Sequence, residues 1–414
     1  MFKKILITIA VILIIAVIGL FIWALLISRQ SGGEITVGES FQELISFGGV
    51  GDDFFTRRGT SIFDIDSSGR DGIKDDGDIT LLRLRQLTNF PVAGATFVES
   101  EDGKTLIRFI VRENGHIFET TADSTTQNRI SNTTILRIFD TNWLSGGDAF
   151  IARFLNEESS EIESFYAEIR QSETGGEGAL DGVFLTKNIK ELALSDKDKI
   201  FYLTPSGDGA VGIISDPDGD KKVQIFDSPL SEWNVGWPSG NKIALTTKAS
   251  SDILGYLYFL DSKTEKIQKI LSGVRGLTTL VNKDGTKVLF TQNEGKQLLL
   301  STLDIEENSI TDLSIWALSE KCVWSNIDGN IIYCGVPNII PEGEDLDLWY
   351  QGLTTFSDSV WIIDIETQTA DILANPIDIA GREIDLIKPV LSPNEDYLIF
   401  INKKDSTLWG LRLE

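Results

Sequence analysis

The chain has 414 residues, 62 acids against 37 bases, a formal net charge of −25, one histidine and two cysteines. A surface this acidic repels phosphate, which excludes nucleic acid as a partner class. One histidine and two thiols also exclude His-rich metal centres, four-thiolate zinc sites and disulfide scaffolds.

Ile5 to Ile27 is an uncharged apolar run of 23 residues. At ~1.5 Å per helical residue it is long enough for a hydrocarbon core of about 30 Å. Lys3 and Lys4 precede it and only Arg29 follows closely. The positive-inside bias therefore predicts a single-pass signal anchor, with a cytoplasmic stub and everything beyond Arg29 outside the cytoplasm. A cleaved signal peptide would have a shorter apolar core and a small-residue cleavage site, and Trp23-Ala-Leu-Leu26 supplies neither. Residues 1–28 are thus read as stub and anchor.

Residues 29–78 read as a flexible tether, because glycines at 32, 33, 38, 48, 49, 51 and 59 interrupt every short apolar run. Within it, Asp64, Asp66, Ser68 and Asp75 place oxygen side chains at positions 1, 3, 5 and 12 of a loop with glycine at position 6. That spacing suits calcium and resembles the acidic loops of calcium-binding extracellular repeats. Asp71 stands where an apolar residue is usual, and Asp75 is shorter than the usual glutamate. An acidic, solvated turn is the other reading. Calcium is the one candidate cofactor.

From residue 79 onward one phrase recurs: a large apolar residue, small or polar residues, an Asp/Gly/Asn turn, then an alternating strand ending in an apolar or aromatic residue. It reads Phe97-Val-Glu-Ser-Glu-Asp-Gly-Lys-Thr-Leu-Ile-Arg-Phe109, Leu194-Ser-Asp-Lys-Asp-Lys-Ile-Phe-Tyr202 and Trp237-Pro-Ser-Gly-Asn-Lys-Ile-Ala-Leu245. It returns at Leu280–Phe290, Trp324–Tyr333 and Leu391–Phe400, with a weaker copy at Trp143–Phe154. The copies ending at 202, 245, 290 and 333 are 43 to 45 residues apart. Two further strand-like runs follow each hairpin, and no helical period lies between them. Four strands per repeat and seven repeats predict an all-β, seven-bladed propeller over residues 79–414.

The last repeat holds three strands, near 386–391, 397–402 and 407–413. An orphan strand, Ile79-Thr-Leu-Leu-Arg-Leu-Arg-Gln-Leu-Thr88, precedes the first. A three-stranded blade exposes an unpaired edge, so the orphan is predicted to close the ring as the outer strand of blade seven.

The repeat phrase resembles the W-S-P-D-G-K-x-I-A-F repeat of TolB-like propellers, relatives of the WD-repeat fold. Leu84-Arg-Gln-Leu-Thr-Asn-Phe-Pro-Val-Ala-Gly-Ala95, Arg129-Ile-Ser-Asn-Thr-Thr134 and Trp349-Tyr-Gln-Gly352 add a resemblance to membrane-anchored bacterial propellers. That resemblance implies an extracytoplasmic binding or scaffolding role, with an envelope protein or protein complex as partner.

Blade six carries about twenty extra residues between its second and third strands, including Trp349, Tyr350 and Phe356 among four acids. The loop is predicted over the central channel, either as a recognition surface or folded back as a plug. The same face is expected to present Arg137, Arg275 and Arg382, with Asp140, Glu320 and Lys321. The three arginines and the three aromatics are the candidate partner-binding set, and a propeller that binds or cleaves polysaccharide with the Trp349 loop is the alternative reading. Cys322 and Cys334 flank one hairpin and form a candidate disulfide, with two buried thiols as the other reading. His116 lacks a nucleophile nearby in sequence, and no nucleophile elbow, phosphate loop or S-x-D-x-G-x-x-W box occurs, so no enzymatic activity is expected.

Overall fold

The structure is a computed structural model and describes residues 83–413, apart from 101, 157–158, 160, 171–177, 295–296 and 344. The expected anchor, the tether and the acidic loop with Asp64, Asp66, Ser68 and Asp75 lie outside the described residues. Among the described residues no helix is long and apolar enough to cross a membrane.

The recurring phrase is the start of each blade, and its chemistry is visible in the turns. In four copies a Ser or Asn opens the turn and closes it with both main chain and side chain. Ser195 N donates to Lys199 O at 2.8 Å, and Ser195 Oγ accepts from Lys199 N at 2.9 Å. Ser100, Asn282 and Ser392 repeat this pattern. The residue that reverses the chain has positive φ: Gly103 at 74°, Asp198 at 56°, Gly285 at 67° and Glu395 at 59°. That left-handed conformation is why Gly or a polar residue recurs there.

These hairpins extend into seven four-stranded antiparallel sheets among the described residues: 92–131, 138–184, 191–228, 233–275, 278–316, 322–374 and 386–412. The first strands of blades one and two, three and four, six and seven, and seven and one touch one another. Seven apolar clusters lie between consecutive blades. Ile399, Ile401 and Leu408 of blade seven, for example, pack with Phe97, Ile107 and Phe109 of blade one. The chain is a seven-bladed β-propeller, as the repeat predicts.

Blade seven takes its fourth strand from the N-terminal side. Leu84–Gln86 pairs antiparallel with Leu408–Arg412, in the register Leu84↔Leu411, Arg85↔Gly410 and Gln86↔Trp409. Among the described residues the predicted strand 79–88 is seen as Leu84–Gln86, with Leu84 buried and Gln86 exposed. Leu87 leaves the ladder yet is buried, because it packs between blades seven and one.

Candidate functional site

In a propeller the second-to-third-strand loop of each blade lies at the end where the innermost strands begin. The blade-six insertion therefore sits over that end of the channel. It winds into a short helix, Asp345–Tyr350, with Asp345 and Asp347 in the first turn, where the helix dipole favours acids. Asp347 accepts from the Ser251 backbone N–H of blade four at 3.2 Å. Glu342 forms a bridge with Gln297 of blade five. Gly343 passes so close to Asn293 that a Cβ would lie 2.4 Å from its amide nitrogen. The Lys403 ammonium of blade seven donates to Trp349 O. The insertion is thus a cap that ties blade six to blades four, five and seven.

Two of its three aromatics turn inward. Leu346, Trp349 and Phe356 are buried with Leu298 and Leu318. The Trp349 and Phe356 rings stack at 6.3 Å with 8° between planes. Trp349 Nε1 donates to Asp385 Oδ2 at 3.0 Å, and Phe356 N to the same oxygen at 3.1 Å.

Beneath them lies a fully buried charge cluster. The Lys321 ammonium donates to both Asp358 and Asp385, and it lies 5.0 Å from the Phe356 ring centroid. All three groups are shut off from solvent. Burial pushes the Asp358 carboxyl up to about 6; the Asp385 charge adds to this and Lys321 opposes it. Lys321 precedes the first strand of blade six, Asp358 opens its third, and Asp385 precedes the first strand of blade seven. The cluster therefore clamps the cap to two blade starts.

A second group of charges faces the channel beside the cap. Tyr350 keeps 38 % of its surface exposed, but its hydroxyl is enclosed and bonded to Glu320. Burial, with the Glu320 charge, pushes the Tyr350 hydroxyl well above the usual phenol range. Burial also raises Glu320 and lifts Glu191 to about 6, and it lowers Lys403 to about 8. Farther along, Asp140 accepts from Arg153 Nη2 at 2.6 Å and from the Lys388 ammonium. Burial would raise that carboxyl, but the two cations hold it below the ordinary carboxylate range.

Glu191 carries a pH prediction. Its folded value near 6 exceeds its ordinary 4.5. Its contribution to stability is therefore fully present below about 4.5 and is lost as pH rises through about 6. Melting temperatures recorded across that window should fall less steeply in Glu191→Gln than in the parent chain. An identical slope would mean Glu191 is solvated in the fold.

Among the other candidate residues, Arg137 and Arg382 are exposed on inter-blade connections, and Arg275 is exposed at the end of the outer strand of blade four. Arg275 donates to Asp252 O at 3.0 Å and Arg382 meets Asp405 at 3.4 Å. They are not gathered with the aromatics. Cys322 and Cys334 are directly paired across the first two strands of blade six and joined by a disulfide, with Cα atoms 4.1 Å apart. His116 immediately precedes the strand Ile117–Thr120, with its backbone N–H bound to Asn114. Among the described residues no three His, Cys, Asp or Glu side chains are placed to hold a metal.

No family model and no curated protein matches the chain. Solved structures do. An oligogalacturonate lyase from Vibrio parahaemolyticus superposes with a TM-score of 0.55 at 12 % identity, covering 81 % of this chain and 95 % of that one. The β-propeller domain of the Trilobed protease from Pyrococcus furiosus, described as having an open velcro topology, gives 0.50 at 12 % identity over 78 % of this chain and 96 % of that one. TolB from Acinetobacter baumannii gives 0.42 at 15 % identity over 77 % and 79 %. The first two likenesses establish the propeller fold and nothing finer. The present ring differs from the second in being closed by its own N-terminal strand.

Proposed function

We propose that this chain is a membrane-anchored, extracytoplasmic propeller that binds or scaffolds other proteins of the cell envelope and does no chemistry of its own. One observation carries the reading: the cap spends its Trp349 and Phe356 rings and the carboxylates beneath them on internal contacts, while it presents aliphatics to solvent. Ile339 is 83 % and Leu353 71 % exposed, with Ile340 and Leu348 also at the surface. Large aliphatics held out on a rigid insertion favour protein contact over solvent. The uncharged run 5–27 supports the anchor, and the Cys322–Cys334 disulfide fits an oxidising compartment.

The test is capture from intact, crosslinked envelopes with Ile339→Asp plus Leu353→Asp. Both side chains are exposed, so melting should stay within a few degrees while the captured partner is lost. Undiminished capture would contradict the reading.

A second reading, polysaccharide cleavage, draws on Glu191 and the Tyr350–Glu320 pair, acid–base groups at the channel mouth with shifted proton affinities. The fold shared with an oligogalacturonate lyase brings that substrate class to mind. Release of unsaturated ends from polygalacturonate, abolished by Glu191→Gln, would favour it over the first.

A further inference from the structure

The outer strand of each blade is a sheet edge, and most of these edges are blunted in one way. A register shift interrupts the pairing of the third and outer strands in blades one, three, four, five and six. Such bulges twist an edge away from another chain. In blade seven the outer strand is only Leu84–Gln86. Blade two is different. Its outer strand, Ala179–Phe184, pairs with residues 165–170 in unbroken register. Five of its six residues are exposed, with Val183 at 42 % and Phe184 at 61 %. Its one charge, Asp181, is already paired with Arg170.

The free backbone groups of this edge follow from its two ends. Leu185 N donates inward to Ser164 O of the third strand, and Gly178 N donates outward to Ile130 O of blade one, both at 2.8 Å. Peptide groups alternate along a strand, so Leu180, Gly182 and Phe184 turn their N–H and C=O outward. Three outward residues centred on a glycine make the edge complementary to itself. Laid antiparallel on a second copy with Gly182 opposite Gly182, Leu180 meets Phe184 of that copy, and every outward group is paired. Asp181 then faces Val183 of the second copy, so no like charges are opposed. Sliding one way sets Asp181 against itself and calls on Gly178, whose N–H is taken. Sliding the other way strands Leu180. The glycine at the centre is also fixed by its own blade, since a Cβ there would lie 2.7 Å from Phe165 Cζ.

From this unbulged, exposed and self-complementary edge, we infer that blade two pairs with blade two of a second copy, giving a two-fold dimer in which two four-stranded sheets become one. A formal charge of −25 opposes the approach of two copies in general. This edge meets that repulsion with an apolar Leu180–Phe184 contact and with its one acid already neutralised by Arg170. The inference does not rest on partner docking at the cap. The two surfaces share no residue, and their tests can fail separately.

The test is disulfide trapping on the full chain in detergent, with Asp181→Cys and Val183→Cys made separately and one of them lengthened by a tag. Cys322 and Cys334 are joined to each other, so each variant carries one free thiol. In the inferred register, 181 and 183 of opposite copies form a close pair with Cα atoms about 4.5 Å apart. The diagonals 181 to 181 and 183 to 183 span about 7–8 Å, at or beyond the reach of a disulfide. Mild oxidation should therefore cross-link a mixture of the two variants, and either variant alone at least tenfold less. Both side chains are exposed, so melting should stay within a few degrees. Adding Phe184→Glu to both variants sets a charge against Leu180 of the other copy and should cut the mixed cross-link at least tenfold. Ile310→Glu, on the outer strand of blade five, should leave it unchanged. No cross-link in the mixture, equal cross-linking by either variant alone, or indifference to Phe184→Glu in a chain that melts normally would each overturn the assignment.

Discussion

A fragment of residues 29–414 lacking residues 79–88 should melt about 10 °C or more below the intact fragment and aggregate on heating. The segment contributes far more than three paired residues. Leu84 is fully buried in the core between blades six and seven, and Leu87 in the core between seven and one. Leu87 N donates to Leu408 O at 2.8 Å, Leu408 N to Thr88 Oγ1 at 3.0 Å, and Arg83 Nε to Arg412 O at 2.9 Å. Emptying a buried leucine site alone costs about 2–5 kcal/mol, and here there are two. The loss is a large part of a domain stability of about 5–15 kcal/mol, and it also bares the edge of Leu408–Arg412. Deleting residues 28–60, read from the sequence as tether, should leave melting unchanged. Equal melting of both truncations and the intact fragment would mean the ring closes without its N-terminal strand.

Lys321→Met should be the most damaging single substitution in the cap region, at about 3–5 kcal/mol, because it leaves Asp358 and Asp385 buried without their cation. The pH dependence follows from the sign of the Asp358 shift. Its folded value of about 6 lies above the ordinary 3.8, so its contribution is fully present below about 3.8 and lost as pH rises through about 6. Lys321 opposes that shift, so removing it raises the carboxyl further and moves the loss to higher pH. The variant should therefore be hurt more at about pH 7 than at about pH 5. Adding Asp358→Asn and Asp385→Asn should recover much of the deficit, since a neutral buried cluster escapes the charge penalty. Chemical denaturation at the two pH values decides. A small, pH-independent loss would show that the ammonium does not neutralise the pair.

The ring was legible because its information is local and repeated. The Ser or Asn that closes each turn, the positive-φ residue after it and the buried residue at the strand end all fall within a dozen residues, as in Leu391–Phe400. Closure was legible from an incomplete last repeat, although Leu87 leaves the strand to serve a neighbouring core. The cap's position followed from repeat length. Its orientation did not: Trp349, Tyr350 and Phe356 stand among acids in a segment too short for periodicity to say which side is buried. The Lys321–Asp358–Asp385 cluster was missed as a unit because its members come from three strand starts as far as 64 residues apart. One trace was present, Asp385 set inside the apolar run Ile384-Asp-Leu-Ile387. The charge balance around Asp140 depends on contacts among blades one, two and seven, which no local pattern encodes.

The claim that the outward side of the cap is the partner surface is tested most directly by position. A photocrosslinking residue placed in turn at Ile339, Leu353, Ile267 and Ile310 samples four exposed apolar positions, two on the cap and two on outer strands. Irradiation of intact envelopes followed by mass spectrometry should give one shared protein adduct from Ile339 and Leu353 and none of it from Ile267 or Ile310. Adducts of equal yield at all four positions, or none at the cap, would contradict the account.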